Sequence, residues 1–288
     1  MIVYGGSNSL KLASRVSEVL GFSRGDVEMK TFPDGEIYVR ILSDVCGKEA
    51  LVVHSVLDNN DLIESLLLLD ALRDSGAKRI HAVFPYLAYM RQDKKFIKGE
   101  ALSAKTILSL LDEKADRLTL INVHFLNGGG AHVFHGIKLI NLDALPLIAK
   151  YYAEKLDNPL FVAPDMGARN AVSRAAEKTG CEFDYLQKTR LNGEEVEIKP
   201  KGLDVEGMDV VILDDMISTG GTMIKASEAL RQQGAKTINL GCVHGVFSRG
   251  TEIFNKVCDS LVCTDTIARN ESLISVTELI SESINKIP

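Results

Sequence analysis

Residues 210–230, VVILDDMISTGGTMIKASEAL, combine a buried apolar run, two adjacent carboxylates and a turn rich in hydroxyl groups and glycine. Glycines let the backbone approach an anion, and the start of the helix expected after the turn adds partial positive charge. The pattern predicts a phosphate site made by Ser218, Thr219, Gly220, Gly221 and Thr222. Asp214 and Asp215, at the carboxyl end of the strand, can accept hydrogen bonds from sugar hydroxyls beside that phosphate. A sugar phosphate is therefore the indicated ligand, and the plainer alternative is a βα turn in which Thr222 caps the helix.

The same segment argues against two common nucleotide-binding loops. No lysine follows the glycines as it would in a Walker A loop, and the glycines lack the G-x-G-x-x-G spacing of a dinucleotide site. The turn therefore does not favour a P-loop nucleotide-binding enzyme or a dinucleotide-binding enzyme.

The elements that position these residues follow from the periodicity of apolar side chains. Apolar, β-branched runs alternate with segments of helical period, which is typical of parallel strands covered by helices. Strands are predicted at 50–56, 80–84, 118–123, 160–163, 210–213 and 238–243. Helices are predicted at 61–74, 101–111, 144–156, 170–179 and 222–233, several of them ending at a glycine suited to a left-handed cap. The predicted fold class is α/β.

An internal repeat divides the chain into two halves. Residues 71–80 read ALRDSGAKRI and residues 229–238 read ALRQQGAKTI, with seven of ten positions identical at an offset of 158. We therefore expect two similar domains in tandem, at 1–145 and 146–288. The same offset lays the strand at 50–56 on the strand before Asp214, but only the second copy continues into two acids and a glycine-rich turn. The second half is expected to bind the sugar phosphate.

Net charge and cysteine pattern limit the classes of binding partner and the cellular compartments that are expected. The formal net charge is -6, whereas a protein that holds a nucleic-acid backbone usually carries a basic surplus, so no nucleic-acid partner is expected. The five cysteines are scattered and form no CxxC pair, which fits a reducing compartment. The chain shows no export signal and no apolar run near 18 residues. We expect a cytoplasmic protein that does not span a membrane.

The glycine-rich loop resembles the 5-phosphoribosyl diphosphate motif of the phosphoribosyltransferase fold. Four further segments occur with it in order along the chain: FPDGEIYVR at 32–40, PYLAYMRQDKK at 85–95, the histidine at 124 and PDMG at 164–167. Together they make the chain similar to a ribose-phosphate diphosphokinase, also called phosphoribosyl diphosphate synthetase. The resemblance implies two tandem phosphoribosyltransferase-like domains, each a mostly parallel sheet flanked by helices. It also implies transfer of the diphosphoryl group of ATP to C1 of ribose 5-phosphate, giving 5-phosphoribosyl 1-diphosphate and AMP.

The resemblance places ATP on two segments of the first half that would otherwise be interpreted as an ordinary hairpin turn and a solvated charged loop. In the family the first segment reaches across a subunit interface to the adenine, which implies a homodimer or higher homo-oligomer with the ATP site at that interface. The residues that the resemblance assigns to ATP are Phe32, Asp34, Gly35, Glu36, Arg91, Gln92 and Asp93.

Two residues at the ends of predicted strands are assigned to metal by the same resemblance. His124 and Asp165 would organise the Mg²⁺ that accompanies ATP. The sequence departs from the family at Asn122, where an aspartate is usual, so one supporting carboxylate is missing. His132 and His135 form an HxxH pattern, but their glycine-rich surroundings carry no catalytic glutamate, and a zinc site is not predicted.

Lys188 and Arg190 alternate along the first arm of a hairpin predicted around Asn192-Gly193, so both can project to one side. The resemblance makes them the catalytic pair that stabilises the charge developing during transfer. Two alternatives are a phosphoribosyltransferase acting on a nucleobase and a non-catalytic regulatory paralogue of the synthetase. The tandem halves and the Arg-Gln-Asp segment argue against the first, and the retained catalytic set argues against the second.

Overall fold

The computed structural model describes residues 1–190, 196–200 and 204–286, with the backbone alone for 188–190 and 196–200. The chain divides into two compact units. The first unit contains Met1–Leu142 together with Val276–Pro288, and the second contains Asp143–Ser275. The chain therefore leaves the first unit, builds the second and returns, whereas the sequence-based division assigns residues 276–288 to the second half.

The first unit is built on a seven-stranded sheet and a separate two-stranded hairpin. Its strands are β1 (Ile2–Gly5), β2 (Ser23–Arg24), β3 (Val27–Thr31), β4 (Ile37–Ile41), β5 (Glu49–Val53), β6 (Arg79–Phe84), β7 (Arg117–Ile121), β8 (Gly130–Phe134) and β9 (Ile137–Leu142). Its helices are α1 (Leu10–Leu20), α2 (Asn59–Asp74), α3 (Ser103–Asp112) and α7 (Thr277–Asn285). The sheet order is β2-β1-β5-β6-β7-β9-β8, parallel except for the antiparallel edge pair β8 and β9, while β3 and β4 pair only with each other. Helix α7 packs against α1 and β9.

The second unit repeats this architecture. Its strands are β10 (Leu160–Ala163), β11 (Phe183–Arg190), β12 (Val196–Pro200), β13 (Asp209–Ile217), β14 (Thr237–Gly245), β15 (Ser260–Thr264) and β16 (Ser272–Ile274). Its helices are α4 (Leu145–Ala153), α5 (Arg169–Thr179) and α6 (Gly221–Gln232). The order β12-β11-β10-β13-β14-β15-β16 is parallel except for β12, which runs antiparallel to β11. The predicted α/β class, with mostly parallel sheets flanked by helices, is confirmed.

The central strands lie where the apolar runs predict them because these strands are covered on both faces, so every position must be apolar. Residues 210–213 and 238–243 are fully inside β13 and β14, and all of 160–163 is buried. Strand β13 continues to Ile217, four residues beyond the predicted run, and thus carries Asp214 and Asp215 within it. The predicted glycine cap is confirmed at Gly180, which ends α5 with φ 70°.

The sequence repeat is also a repeat of contacts. Arg73 donates from Nη2 to Asp116 Oδ2 at 2.8 Å, and the backbone N–H of Ile80 donates to the same oxygen at 2.7 Å. In the second unit Arg231 Nη2 and the N–H of Ile238 donate to Asp259 Oδ2, each at 2.7 Å. In both units a carboxylate thus ties the end of one helix to the first residues of the next strand.

Within the described residues, no helix combines the length and the apolar character that crossing a bilayer requires.

Candidate functional site

The glycine-rich turn lies between β13 and α6. Gly220 is the N-cap of α6 with φ 80°, and its carbonyl accepts the N–H of Ile224 at 3.0 Å. Among the described residues no side chain caps this helix, so the alternative in which Thr222 acts as the cap is wrong. The left-handed conformation at Gly220 starts the helix two residues earlier than that alternative requires. An N-terminus of this kind presents backbone N–H groups and partial positive charge, an arrangement that suits an anion.

The corresponding helix of the first unit shows the contrast. Helix α2 has Asp58 as N-cap, whose Oδ1 accepts the N–H groups of Asn60 at 2.8 Å and Asp61 at 3.1 Å. Asp61 Oδ2 accepts the N–H of Asp58 at 3.3 Å, which completes a capping box, and it also accepts the N–H of Leu57 at 2.8 Å. The chain's own carboxylates therefore occupy the anion position of α2, whereas no side chain of the described residues caps α6.

Two carboxylates stand at the end of β13, directly before this turn. Burial raises the pKa of Asp214 well above its ordinary value, and the adjacent Asp215 carboxylate raises it further, with a smaller contribution from Asp165. The Asp215 N–H donates to Asp214 Oδ1 at 2.9 Å. These acids form a cluster of negative charge that hydroxyl donors or a cation would stabilise.

Asp165 follows β10, the strand next to β13 in the sheet. Its Oδ1 accepts the N–H of Gly167 at 2.8 Å and that of Ala168 at 3.2 Å, which fixes the turn before α5. Because parallel strands end at one edge of the sheet, Asp165, Asp214 and the glycine-rich turn lie along the same edge.

The catalytic pair assigned by resemblance lies in β11, the neighbour of β10 on its other side. Lys188 pairs with Ile198 and Arg190 with Val196 in the antiparallel register of β11 and β12. The two predicted arms are therefore present as strands, and the turn expected at Asn192-Gly193 lies outside the described residues.

In the first unit, residues 32–36 form the exposed tip of the β3–β4 hairpin. The Phe32 N–H donates to the Glu36 carbonyl at 2.7 Å, and the Gly35 N–H donates to the Phe32 carbonyl at 2.9 Å. Asp34 Oδ1 accepts the Glu36 N–H at 3.2 Å, and Gly35 has φ 96°, a conformation that suits glycine. The hairpin thus presents one aromatic and two acidic side chains, with Phe32 41% exposed.

Residues 91–93 lie within the connection between β6 and α3, and His124 lies in an exposed turn after β7, the strand next to β6. Arg91 is exposed, while Gln92 and Asp93 are partly buried. Asn122, which precedes the histidine, has φ 40°, a left-handed conformation that asparagine and aspartate adopt more readily than other non-glycine residues. Asparagine therefore preserves the backbone here while removing a charge. No group of three His, Cys, Asp or Glu side chains arranged to hold a metal occurs in the described part of the chain.

Comparison with known proteins identifies the two halves. Residues 1–114 match the family model described as the N-terminal domain of ribose phosphate pyrophosphokinase, and residues 139–276 match that of the phosphoribosyl transferase domain. The chain is 43% identical to ribose-phosphate pyrophosphokinase 2 of Archaeoglobus fulgidus, over 95% of this chain and 96% of that protein. It is 40% identical to the ribose-phosphate pyrophosphokinase of Methanosarcina acetivorans, over 100% of both chains. The chain belongs to the ribose-phosphate pyrophosphokinase family. The crystal structure of phosphoribosylpyrophosphate synthetase from Mycobacterium smegmatis agrees, with a TM-score of 0.85, 27% identity and coverage of 99% of this chain and 97% of that one.

The glycine-rich turn is held by a segment that the sequence does not single out. The Ile217 carbonyl accepts the N–H groups of Val246 at 3.1 Å and Phe247 at 3.0 Å. The Ser218 carbonyl accepts both the N–H of Ser248 at 3.0 Å and its hydroxyl at 3.3 Å. The strand end and the loop are thus tied to the chain that follows β14.

The segment that the resemblance assigns to ATP contains a set of contacts that sequence reasoning missed. One oxygen of Glu100 accepts the N–H of Phe96 at 2.6 Å, the N–H of Ile97 at 2.9 Å and Gln92 Nε2 at 3.3 Å. These backbone N–H groups lower the pKa of Glu100. One carboxylate oxygen therefore holds the loop from 92 to 100 through three hydrogen bonds. In the sequence, the only sign of this contact is a glutamate seven residues after the Arg-Gln-Asp run.

Proposed function

We propose that the chain transfers the β,γ-diphosphoryl group of ATP to the C1 hydroxyl of ribose 5-phosphate. The observation that carries this proposal is the uncapped start of α6 beside Asp214 and Asp215, in a chain of the ribose-phosphate pyrophosphokinase family. The oxygen on C1 forms a bond to the β-phosphorus while the bond between that phosphorus and the α–β bridging oxygen breaks. AMP leaves with the bridging oxygen, and the C1 hydroxyl proton passes to solvent.

The sugar phosphate is proposed to lie along β13 and its turn. The N–H groups of residues 218–222 would bind the 5-phosphate, supported by the partial positive charge at the start of α6. Asp214 and Asp215 would accept hydrogen bonds from the ribose hydroxyls, donors that suit two crowded carboxylates.

Lys188 and Arg190 are proposed to stabilise the negative charge on the transferred phosphorus oxygens, since phosphoryl transfer depends mainly on positioning and electrostatics. Lys188→Ala should lower kcat by about 10²- to 10³-fold with little change in the affinity for ribose 5-phosphate. Lys225→Ala, an exposed lysine on α6, is the matched control. An unchanged kcat in the Lys188 variant would remove the residue from the mechanism.

Mg²⁺ fits the residues present. Asp165 commits one carboxylate oxygen to backbone N–H groups. Burial first, and then the carboxylates of Asp215 and Asp165, raise the pKa of Asp214, and a cation would offset the charge of these neighbouring acids. Asp165 and His124 are each proposed as a ligand of Mg²⁺, which prefers few protein ligands and phosphate oxygens and would neutralise charge on the ATP phosphates.

ATP is proposed to bind Phe32, Asp34, Gly35 and Glu36 of one subunit and Arg91, Gln92 and Asp93 of another. The exposure of the hairpin tip supports this arrangement, because an exposed aromatic ring there can cover an adenine supplied by a second copy. The proposed assembly is a homodimer or higher homo-oligomer. The proposed compartment is the cytoplasm, where all five cysteines would remain the free thiols that the structure has.

The deciding experiment is phosphorus NMR of the purified protein with ATP, Mg²⁺ and ribose 5-phosphate. Formation of AMP with a new C1-linked diphosphate supports the proposal, whereas ADP would indicate a simple phosphotransferase. Retained ligand binding without turnover would favour the regulatory paralogue. Asp214→Asn should weaken binding of ribose 5-phosphate, while Glu228→Gln, which changes an exposed carboxylate on α6, should not.

A further inference from the structure

Arg269 lies outside the proposed site but is joined to the glycine-rich turn by hydrogen bonds. It lies in the connection between β15 and β16, where its own N–H donates to Ser272 Oγ at 3.0 Å. Its side chain donates from Nε to the Gly245 carbonyl at 3.3 Å and from Nη2 to the Val246 carbonyl at 3.1 Å. The guanidinium therefore binds the end of β14 and the residue after it, where the segment that holds the turn begins.

The two carbonyls that this guanidinium binds belong to peptide groups whose N–H groups reach the end of β13. The peptide with the Gly245 carbonyl carries the N–H of Val246, and the peptide with the Val246 carbonyl carries the N–H of Phe247. Both N–H groups donate to the Ile217 carbonyl, at 3.1 and 3.0 Å. The peptide with the Ile217 carbonyl in turn carries the N–H of Ser218, the first residue of the glycine-rich turn. A continuous series of hydrogen-bonded peptides thus connects the guanidinium to that N–H.

The positive charge of Arg269 is directed into this series. Arg231 of the same unit is paired with the carboxylate of Asp259. Among the described residues no carboxylate pairs with Arg269, and its guanidinium donates to carbonyl oxygens instead. An ionised donor strengthens the hydrogen bonds that it makes and polarises the hydrogen-bonded groups beyond them. The N–H of Ser218 therefore becomes a stronger donor than it would be in an isolated turn.

We propose that Arg269 is a positioning residue for the 5-phosphate, whose charge raises the affinity of the glycine-rich turn through the intervening peptides. This inference rests on the proposed function, because it needs the N–H groups of the turn to bind the 5-phosphate. It holds for either orientation of the sugar, since it concerns only the phosphate at the turn. Two layers of hydrogen-bonded peptides, about 10 Å in total, separate the guanidinium from such a phosphate. At that range a unit charge near the surface changes an affinity by about 3- to 15-fold.

The test measures binding of ribose 5-phosphate by calorimetry in variants of this arginine. Arg269→Gln removes the charge, and we expect it to weaken binding by about 3- to 15-fold. The KM for ribose 5-phosphate should rise by the same factor, while kcat and the KM for ATP stay within about twofold. Arg269→Lys keeps the charge and should keep most of the affinity. Lys256→Gln removes the same charge from another exposed position of the second unit and should change none of these values.

Chemical rescue separates the effect of charge from that of shape. Arg269 is exposed, so Arg269→Ala leaves a space that a small molecule can enter from solvent. Added ethylguanidinium should restore most of the affinity for ribose 5-phosphate. Ethylurea has nearly the same shape without the charge and should restore none of it. A residue that only holds the backbone in place would respond to both compounds alike.

Unchanged binding of ribose 5-phosphate in Arg269→Gln would overturn the inference while leaving the proposed function in place. Equal effects of the two compounds on Arg269→Ala, whether both restore binding or neither does, would also overturn it. A loss in Arg269→Lys as large as that in Arg269→Gln would make the arginine a structural residue, with the same consequence. If the wild-type protein bound no ribose 5-phosphate, the proposed function itself would fail.

Discussion

The conformation of Gly220 and the aromatic ring packed against it make a quantitative prediction about the glycine-rich turn. Gly220 has φ 80°, which costs a residue with a Cβ atom about 1–2 kcal/mol. An added Cβ would also lie 2.5 Å from Cζ and 3.0 Å from Cε1 of Phe254, whose ring is buried and meets Phe247 edge-on. Overpacking of this kind adds about 1–3 kcal/mol. Gly220→Ala should therefore lower the free energy of unfolding by about 2–5 kcal/mol.

Gly180→Ala is the matched control for the backbone part of this cost. Gly180 also has positive φ, at 70°, but no other heavy atom lies within 4 Å of the Cβ position. Its replacement should cost only about 1–2 kcal/mol. Calorimetry measures the loss of Tm in each variant, at about 2–4 °C per kcal/mol. The difference between the two losses gives the cost of the contact with Phe254.

A double variant measures the coupling between Gly220 and Phe254. Phe254→Leu shortens the ring side chain, so Gly220→Ala should cost less in that background than in the wild type, with a coupling of about 1–3 kcal/mol. The KM for ribose 5-phosphate should rise in Gly220→Ala and fall back partly in the double variant. Equal costs at Gly220 and Gly180, or no coupling with Phe254, would refute the reasoning.

Three further predictions concern charge. Because burial raises the pKa of Asp214, the folded protein keeps a proton there that the unfolded chain releases near pH 4. The free energy of unfolding therefore falls as pH rises from about 4 toward the raised pKa of the folded state. Asp214→Asn should therefore be more stable than wild type in urea unfolding at pH 8 and nearly equal at pH 4. Burial, with a smaller effect of Arg117, lowers the pKa of His81 to about 3, so the unfolded chain takes up a proton below about pH 6.5 that the fold excludes. Stability should then fall toward acid by about 1.4 kcal/mol per pH unit from this group, and His81→Gln should flatten the profile. Glu100→Gln leaves an amide where one carboxylate oxygen accepts three N–H groups, and the KM for ATP should rise roughly tenfold with that for ribose 5-phosphate unchanged.

The parts of the fold that followed from the sequence are those fixed by local pattern. Burial on both faces requires the apolar runs of the central strands, and a left-handed backbone conformation favours the glycine after α5. Both signals can be identified from a few neighbouring residues. The repeat at 71–80 and 229–238 indicated two related halves because it preserves the arginine that binds Asp116 in one unit and Asp259 in the other.

The parts that the sequence did not reveal depend on contacts between distant residues. The residues next to Gly220 in the sequence do not indicate that Phe254 packs against it. The sequence around Glu100 likewise does not indicate that its carboxylate accepts backbone N–H groups of its own loop. Strand β13 was predicted too short because Asp214 and Asp215 interrupt its apolar run, although the strand continues to Ile217. At that point the requirements of the site override the pattern of a buried strand.

The return of the chain to the first unit has a consequence for synthesis on the ribosome. The first unit needs α7, which packs against α1 and β9, yet the whole of the second unit is translated before α7 emerges. At about 5–20 residues per second, the ribosome needs roughly 7–27 s to make that intervening stretch. During this time α1 lacks its partner helix, and a nascent-chain chaperone would meet an apolar face that the finished protein covers. The second unit has all of its sequence first, so translation completes the two related halves in the reverse of their order along the chain.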